Sequence, residues 1–345
     1  MIYILKERIH HYLTLSRQGE SCMKSFEKIP HIDLAPLFTH TDTGLLSVAD
    51  QVRQIYTNVG FAYLINHGIS EDLVQATFQA ARDFHNLPLN KKLKIRQNKF
   101  FRGYMPRKAS RFELSTLEKA SKPNQSEAFI IANEVSEESE DFKLEQNLAG
   151  PNQWPEDMPE FKETITTYYK SMQALAKRMV QVFAMAFGLS PDALDNYFRE
   201  PTIFLRLQYY PEQPDIIPED QYGIAPHTDY GFLTLLAQDT VGGLQVKNQE
   251  GEWIDVPPEP GSFILNSGDM IKWMTNDNFI STPHRVINRS GKKRYAIPFF
   301  FEPSMHAEIA PLDIFKDANN PAKYPRIEYA DHLMTRIKSN YSIGA

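Results

Sequence analysis

The sequence predicts a mainly β protein with flanking helices, and three observations lead there. From Thr202 onward the chain breaks into short runs rich in β-branched and aromatic residues, at 203–210, 232–238, 243–247, 253–256, 262–266, 283–288 and 294–301. Turn signals separate them, as at Gly242-Gly243, Gln249-Glu250-Gly251 and Ser267-Gly268-Asp269, and strands at this spacing indicate a sandwich or a jelly roll. Ahead of this region, Phe161, Ile165, Tyr168, Met172, Leu175, Met179, Phe183 and Phe187 recur every three or four residues over 160–187. They form one apolar stripe, expected to pack a long helix on the outside of the β region. Finally, 345 residues with 42% hydrophobic content can bury a large core, and β folds of this size often form one unit.

Taken in order, residues 1–27 are polar and read as a mobile terminal extension without assigned function. A helical pattern covers 45–56. The run 60–66 is short and apolar and ends in Asn66-His67-Gly68, so it reads as a buried strand closed by a turn. Ser70 offers an N-cap for a helix to about His85, with Leu73, Ala76, Ala80 and Phe84 on one face. His67 and His85 lack a carboxylate at ligand spacing and are expected to be structural. The acidic run 134–140 reads as a solvated loop, and Gly150 to Pro155 as a rigid turn before the long helix. Gly188 stops that helix, and Ser190-Pro191 starts a short one. Residues 327–337 look helical. The organisation expected is an extension (1–27), a mixed helical region (28–150), a long-helix region (151–200), a β core (201–310) and a helical tail (311–345).

Composition narrows the function classes. A net charge of −6 and a pI near 6.0 leave no basic footprint for nucleic acid. The single cysteine, Cys22, excludes an intrachain disulfide, and no apolar run approaches the roughly 20 residues that span a bilayer. Lys6, Glu7 and Arg8 interrupt the apolar Met1 to Leu5 before a signal-peptide core forms. A cytoplasmic protein acting on a small molecule is expected. The oligomeric state is not legible.

The chemistry concentrates at Ala225-Pro226-His227-Thr228-Asp229-Tyr230 and at His284 in Ser281-Thr282-Pro283-His284-Arg285-Val286. If 233–238 continues a strand that begins near His227, then His227 and Asp229 project from one face. With His284 they make two imidazoles and one carboxylate, a set that leaves three positions of an iron(II) ion open for oxygen chemistry. Arg294 follows ten residues after His284, and the segment between has turn composition. A hairpin centred near Arg289 would set His284 and Arg294 opposite each other. The guanidinium would then face the metal pocket, where its planar fork suits a carboxylate.

His227-x-Asp229, His284 and Arg294-x-Ala296, together with the runs Gly231 to Asp239, Gly242-Gly243-Leu244-Gln245-Val246 and Tyr295-Ala296-Ile297-Pro298-Phe299-Phe300-Phe301, resemble the iron(II)/2-oxoglutarate-dependent dioxygenases, in the isopenicillin N synthase-like branch. Ile29-Pro30-His31-Ile32-Asp33-Leu34 and the stretch from Phe84 to Leu93 are similar to the amino-terminal part of that family. The resemblance implies a double-stranded β-helix with iron(II) on His227, Asp229 and His284 inside its open end, and a C-terminal helix over the opening. It implies 2-oxoglutarate chelating the metal, its far carboxylate on Arg294 and Tyr210, with O2 as the second cosubstrate. A small organic substrate would be oxidised at a C–H bond, with release of succinate and CO2. The family commonly has serine two residues after the arginine; Ala296 stands there and removes one hydrogen bond to the carboxylate. By position, Tyr230, Arg102, Tyr104 and Phe129 are expected at the substrate.

Three alternatives remain open at this stage. An ethylene-forming 2-oxoglutarate enzyme shares Arg-x-Ala and a tyrosine after His-x-Asp, here Tyr230. An oxidase of the isopenicillin N synthase type uses an equivalent arginine without 2-oxoglutarate. A catalytically silent binding protein would be marked by loss of a ligand or of the arginine, and all four residues are present.

Overall fold

A computed structural model describes residues 25–39, 41–111, 122–143, 148–213, 218 and 220–340. Most of the expected extension 1–27, with Cys22, and the last five residues of the tail lie outside them. The elements are β1 (His31–Asp33), α1 (Asp42–Tyr56), β2 (Phe61–Ile65), α2 (Glu71–His85), α3 (Leu89–Leu93), β3 (Gly103–Met105), β4 (Glu127–Ala132), α4 (Glu140–Lys143), α5 (Pro159–Ala186), β5 (Thr202–Tyr210), β6 (Ile224–His227), β7 (Leu233–Gln238), β8 (Leu244–Lys247), β9 (Trp253–Asp255), β10 (Phe263–Ser267), α6 (Asp269–Met274), β11 (His284–Val286), β12 (Arg294–Glu302), β13 (Glu308–Ile309), β14 (Ile327–Glu328) and α7 (Tyr329–Asn340). Ser70 precedes α2 as expected, but its hydroxyl makes no capping hydrogen bond.

Two sheets form the body. The larger has the order β1-β2-β10-β7-β12-β5-β4-β3 and the smaller β6-β11-β8-β9. Among the described strands only β1 and β2 pair in parallel. Four strands of the large sheet, β1 to β4, come from the amino-terminal region, so that region and the β core share one hydrogen-bonded surface. This is the double-stranded β-helix with flanking helices.

The period of two along each strand sends alternate side chains to opposite faces of the sheet, and two apolar cores result. On β12, Tyr295, Ile297, Phe299 and Phe301 join Leu205 and Leu207 of β5 and the apolar stripe of α5 in one core. Facing the small sheet, Tyr210 and Ala296 join Phe61, Leu244, Val246 and Val286 in the other. The long helix therefore packs where its stripe predicts.

Two local expectations are corrected. β6 ends at His227, and β7 belongs to the other sheet, so 233–238 does not continue a strand from His227; residues 228–232 cross between sheets. Nor do His284 and Arg294 face each other across a hairpin. β11 pairs with β6 and β8, whereas β12 pairs with β5 and β7. In a two-layer fold a turn can carry the chain across the roughly 10 Å between sheets as well as fold it back on its neighbour. Composition marks a turn without saying which of these it makes.

Phe183 links α5 to the crossover: it is fully buried, with ring centroids 5.2 Å from Tyr56 and 5.6 Å from Phe232. Phe183→Ala is expected to lower unfolding free energy by about 3–5 kcal/mol, as other buried Phe truncations do. Urea denaturation followed by circular dichroism checks this; a change under about 1 kcal/mol would show that the contact carries little.

Candidate active site

His227 closes β6, His284 opens β11, and the two are paired across the small sheet. Their ring centroids lie 4.2 Å apart. Asp229 enters from the crossover, with Oδ1 3.6 Å from His227 Nε2 and 3.7 Å from His284 Nε2. One ligand atom from each of the three lies within 4.8 Å of the others, and no other such group occurs among the described residues.

The surroundings fix each ligand. His227 Nδ1 lies 2.8 Å from the Ala225 carbonyl and His284 Nδ1 3.3 Å from that of Thr282; an Nδ1–H given to a carbonyl leaves Nε2 as the lone-pair donor. Burial and the neighbouring His284 hold His227 below the usual imidazole range, in the neutral form a metal needs. Burial pushes the Asp229 carboxyl up, but His284, His227 and the hydrogen bonds from Thr234 and Asn266 outweigh it and keep it ionised. Those bonds reach Oδ2 at 2.6 Å from Thr234 Oγ1 and 2.7 Å from Asn266 Nδ2.

The backbone of the crossover is pinned by the start of α6. Gly268 N donates to Phe232 O at 2.9 Å, Asp269 N to Asp229 O at 2.8 Å and Met270 N to Gly231 O at 2.9 Å. A Cβ on Gly268 would run into the Gly231 carbonyl, so this approach requires glycine.

The cavity beside the cluster is lined by β5 and β12 residues of one face: Phe204, Arg206, Gln208 and Tyr210, and Arg294, Ala296, Pro298, Phe300 and Glu302. Arg294 has no exposed surface. Its Nη2 donates to Gln238 Oε1 at 3.0 Å, and its guanidinium carbon lies 4.7 Å from the Tyr210 ring centroid. Nε and Nη1 have no hydrogen-bond partner among the described residues. Buried donors left in this state are costly, and a carboxylate in the cavity would satisfy them. Ala296 lies opposite Gln208 on one side and Gln238 on the other, and Gln208 Nε2 is likewise buried and without a partner.

Tyr230 also lines the cavity; its hydroxyl accepts from Asn340 Nδ2 at 2.7 Å and its ring lies 4.5 Å from the Arg336 guanidinium carbon. Both partners belong to α7, which adds Tyr329, Leu333 and Ile337 to the cavity wall.

Arg102, Tyr104 and Phe129 do not line this cavity. Phe129 lies opposite Leu207, and Tyr104 opposite Phe129, so both share the helix-facing side of the sheet. Tyr104 donates its hydroxyl to Glu127. Arg102 gives its guanidinium to the carbonyls of Phe100, Leu148 and Asn133. The neighbour Phe101 reaches the cavity instead. Phe101, Arg206, Gln208, Phe300 and Glu302 were not singled out by sequence, although alternation along β5 from Tyr210 marks Gln208 and Arg206. His67, stacked on Phe263, and His85, between Glu127 and the Leu207 carbonyl, stand apart from the cluster.

The chain is similar to known proteins along most of its length. Residues 201–303 match the 2OG-Fe(II) oxygenase superfamily and residues 29–157 the N-terminal region described as non-haem dioxygenase in morphine synthesis. The chain belongs to the iron(II)/2-oxoglutarate-dependent dioxygenase superfamily and is an oxidoreductase that uses iron(II) and 2-oxoglutarate on a small organic substrate. Among its relatives, homoarginine-6-hydroxylase 2-ODD-C23.2 of Arabidopsis thaliana is 33% identical over 99% of this chain and 95% of its own length. The 2-oxoglutarate-dependent dioxygenase citB of Monascus ruber is 33% identical over 93% and 98%. A full-length Neurospora crassa protein, solved in complex with alpha-KG and thymine, superposes with a TM-score of 0.79 at 28% identity, covering 90% of this chain and 96% of that one.

Asn266→Ala, which removes a donor to Asp229 without touching a ligand, is expected to weaken iron(II) binding by roughly 10–100-fold, the usual effect of losing a hydrogen bond to a metal ligand. Anaerobic calorimetry with iron(II) reads the change, and an unaltered affinity would mean that Thr234 alone orients the carboxylate.

Proposed function

We propose that His227, Asp229 and His284 hold the iron(II), that Arg294 with Tyr210 beside it holds the far carboxylate of 2-oxoglutarate, and that the enzyme hydroxylates a C–H bond of its substrate. The observation that carries this is Arg294: a fully buried guanidinium with two nitrogens lacking partners, in the same cavity as the two-histidine, one-carboxylate cluster. Iron(II) with 2-oxoglutarate supplies the oxygen activation when bound. The chain does the positioning. Carbonyls turn both imidazole Nε2 atoms inward, Thr234 and Asn266 hold Asp229 ionised, and Arg294 offers fixed N–H donors to a carboxylate. Phe61, Ile224, Leu244 and Val286 line the same cavity with apolar surface, which excludes water and strengthens those charge contacts.

Relatives are named for homoarginine and a solved neighbour holds thymine; these differ in charge and shape, and support no more than a small-molecule substrate here. We read residues 201–310 as the catalytic core, supported by 28–150 and 151–200. The single cysteine and the absence, among the described residues, of a helix long and apolar enough to cross a membrane support a cytoplasmic placement. An ethylene-forming branch with the same Arg-x-Ala is recognised by ethylene in the headspace.

Arg294→Ala is expected to raise the Kd for 2-oxoglutarate by at least about a hundredfold, since hydrogen bonds to a charged acceptor are lost, and Tyr210→Phe by about fivefold or less. Titration into iron-loaded, oxygen-free protein measures both. No 2-oxoglutarate binding to the wild type would sink the assignment.

Ala296→Ser is expected to tighten the same binding by roughly 1 kcal/mol, somewhat over fivefold in Kd, because a hydroxyl there adds one donor on the Arg294 face. A weaker serine variant would show that the cosubstrate is steadied another way, for which the Gln208 amide opposite Ala296 offers a donor.

A further inference from the structure

The cavity face of β12 ends in a buried acid. Arg294, Ala296, Pro298, Phe300 and Glu302 alternate along that face, and the register sets Glu302 against Thr202 of β5, at the opposite end of the strand from Arg294. The Glu302 side chain is buried and reaches the crossover. Its Oε2 accepts from Phe232 N, and a Cβ on Gly231 would fall on the carboxyl itself. The group therefore rests on the backbone two residues after Asp229, at a place that any side chain would fill. Burial, with the Asp229 charge nearby, pushes the Glu302 carboxyl well above the usual carboxylate range, and the Phe232 hydrogen bond opposes this only in part. At neutral pH the residue acts through hydrogen bonds and not as a counter-charge.

The same carboxyl meets α7. Tyr329, fully buried, brings its hydroxyl beside it without closing a well-formed hydrogen bond. Three further residues of α7, spaced by four, grip Tyr230, the residue after Asp229. His332 lies within reach of the Tyr230 carbonyl, the Arg336 guanidinium carbon lies 4.5 Å from its ring centroid, and Asn340 donates to its hydroxyl at 2.7 Å. The helix that covers the cavity is thus fastened to the segment that carries a metal ligand. The start of α6 takes up the carbonyls of Asp229, Gly231 and Phe232, while the Phe232 N–H goes to Glu302.

We propose that Glu302 is a positioning residue for Asp229: it seats the crossover through Phe232 and Gly231, and through Tyr329 it ties that seat to the docking of α7. The inference rests on iron(II) binding at His227, Asp229 and His284, and its test separates the two. Coupling of this kind is reciprocal. If docked α7 favours the metal-binding placement of Asp229, bound iron(II) favours docked α7 by the same factor.

Iron(II) is titrated calorimetrically, without oxygen, into wild type, Glu302→Gln, Glu302→Leu and Tyr329→Phe, and hydrogen–deuterium exchange of α7 is followed with and without the metal. Glu302→Gln, whose amide oxygen accepts the same N–H, is expected to bind within about threefold of wild type. Glu302→Leu, which leaves that N–H without its acceptor, should bind about tenfold to hundredfold more weakly, as loss of support around a metal ligand predicts. In wild type, iron(II) should slow α7 exchange by about tenfold, and in Glu302→Leu and Tyr329→Phe this slowing should shrink to about twofold or less. Thermal melting of the metal-free samples reports folding; should Glu302→Leu fail to fold, wild type and Tyr329→Phe decide the matter. The role of Glu302 is overturned, and the metal assignment stands, if Glu302→Leu lowers the melting temperature but binds iron(II) as wild type does, or if Glu302→Gln is as weak as Glu302→Leu. The same holds if iron(II) leaves α7 exchange unchanged in wild type, or if Tyr329→Phe keeps the full slowing. If wild type binds no iron(II), the underlying assignment fails first.

Discussion

The constraint on which the rest depends is the burial of Arg294. Placing a guanidinium out of water costs several kcal/mol unless its donors are matched, and here the protein matches only part of the fork, through Gln238. The ring of Tyr210 lies beside it, and β5 and β7 on either side of β12 hold it in register. The fold thus keeps a local cost that a ligand would relieve. That is a common way for a site to be specific, because an analogue without the carboxylate leaves the same donors unsatisfied.

A second local cost serves the metal. The crossover 228–232 has no strand partner of its own, so its carbonyls are taken up by the amides at the start of α6. This permits only glycine at 268. Asp229 can then sit between two sheets and still meet histidines that both belong to one of them. Stiff placement of the carboxylate comes from Thr234 on β7 and Asn266 on β10, so the large sheet orients a ligand set anchored mainly on the small one.

Much of this was legible in the sequence, for identifiable reasons. The long helix and seven strands of the β core follow from period and punctuation, with ends within a few residues of those expected, whereas β6, only four residues long and containing Pro226, does not. His227, Asp229, His284 and Arg294 stand out because few structural roles bring those residue types to such spacing. What could not be read was connection across space. Turn residues after His227 and around Arg289 announce a reversal but not whether the chain stays in its sheet. Arg102, Tyr104 and Phe129 were expected at the substrate and lie elsewhere because a shift of one residue changes the face of a strand; the cavity receives Phe101 instead. Arg206 escaped notice because an arginine in an apolar strand carries no signature until its neighbours are known.

The cover of the cavity has a consequence for how such an enzyme changes over time. Tyr329, Leu333 and Ile337 are spaced by four along α7 and fall on one side of a short helix, whereas Arg294 and Tyr210 lie on paired strands. Exchanges among these three residues alter the shape of the chamber without disturbing any sheet register, and each costs only what one packed side chain contributes. Substrate range can therefore drift by small, separable steps while the oxidising machinery stays fixed, a division of labour that lets one scaffold explore many chemistries.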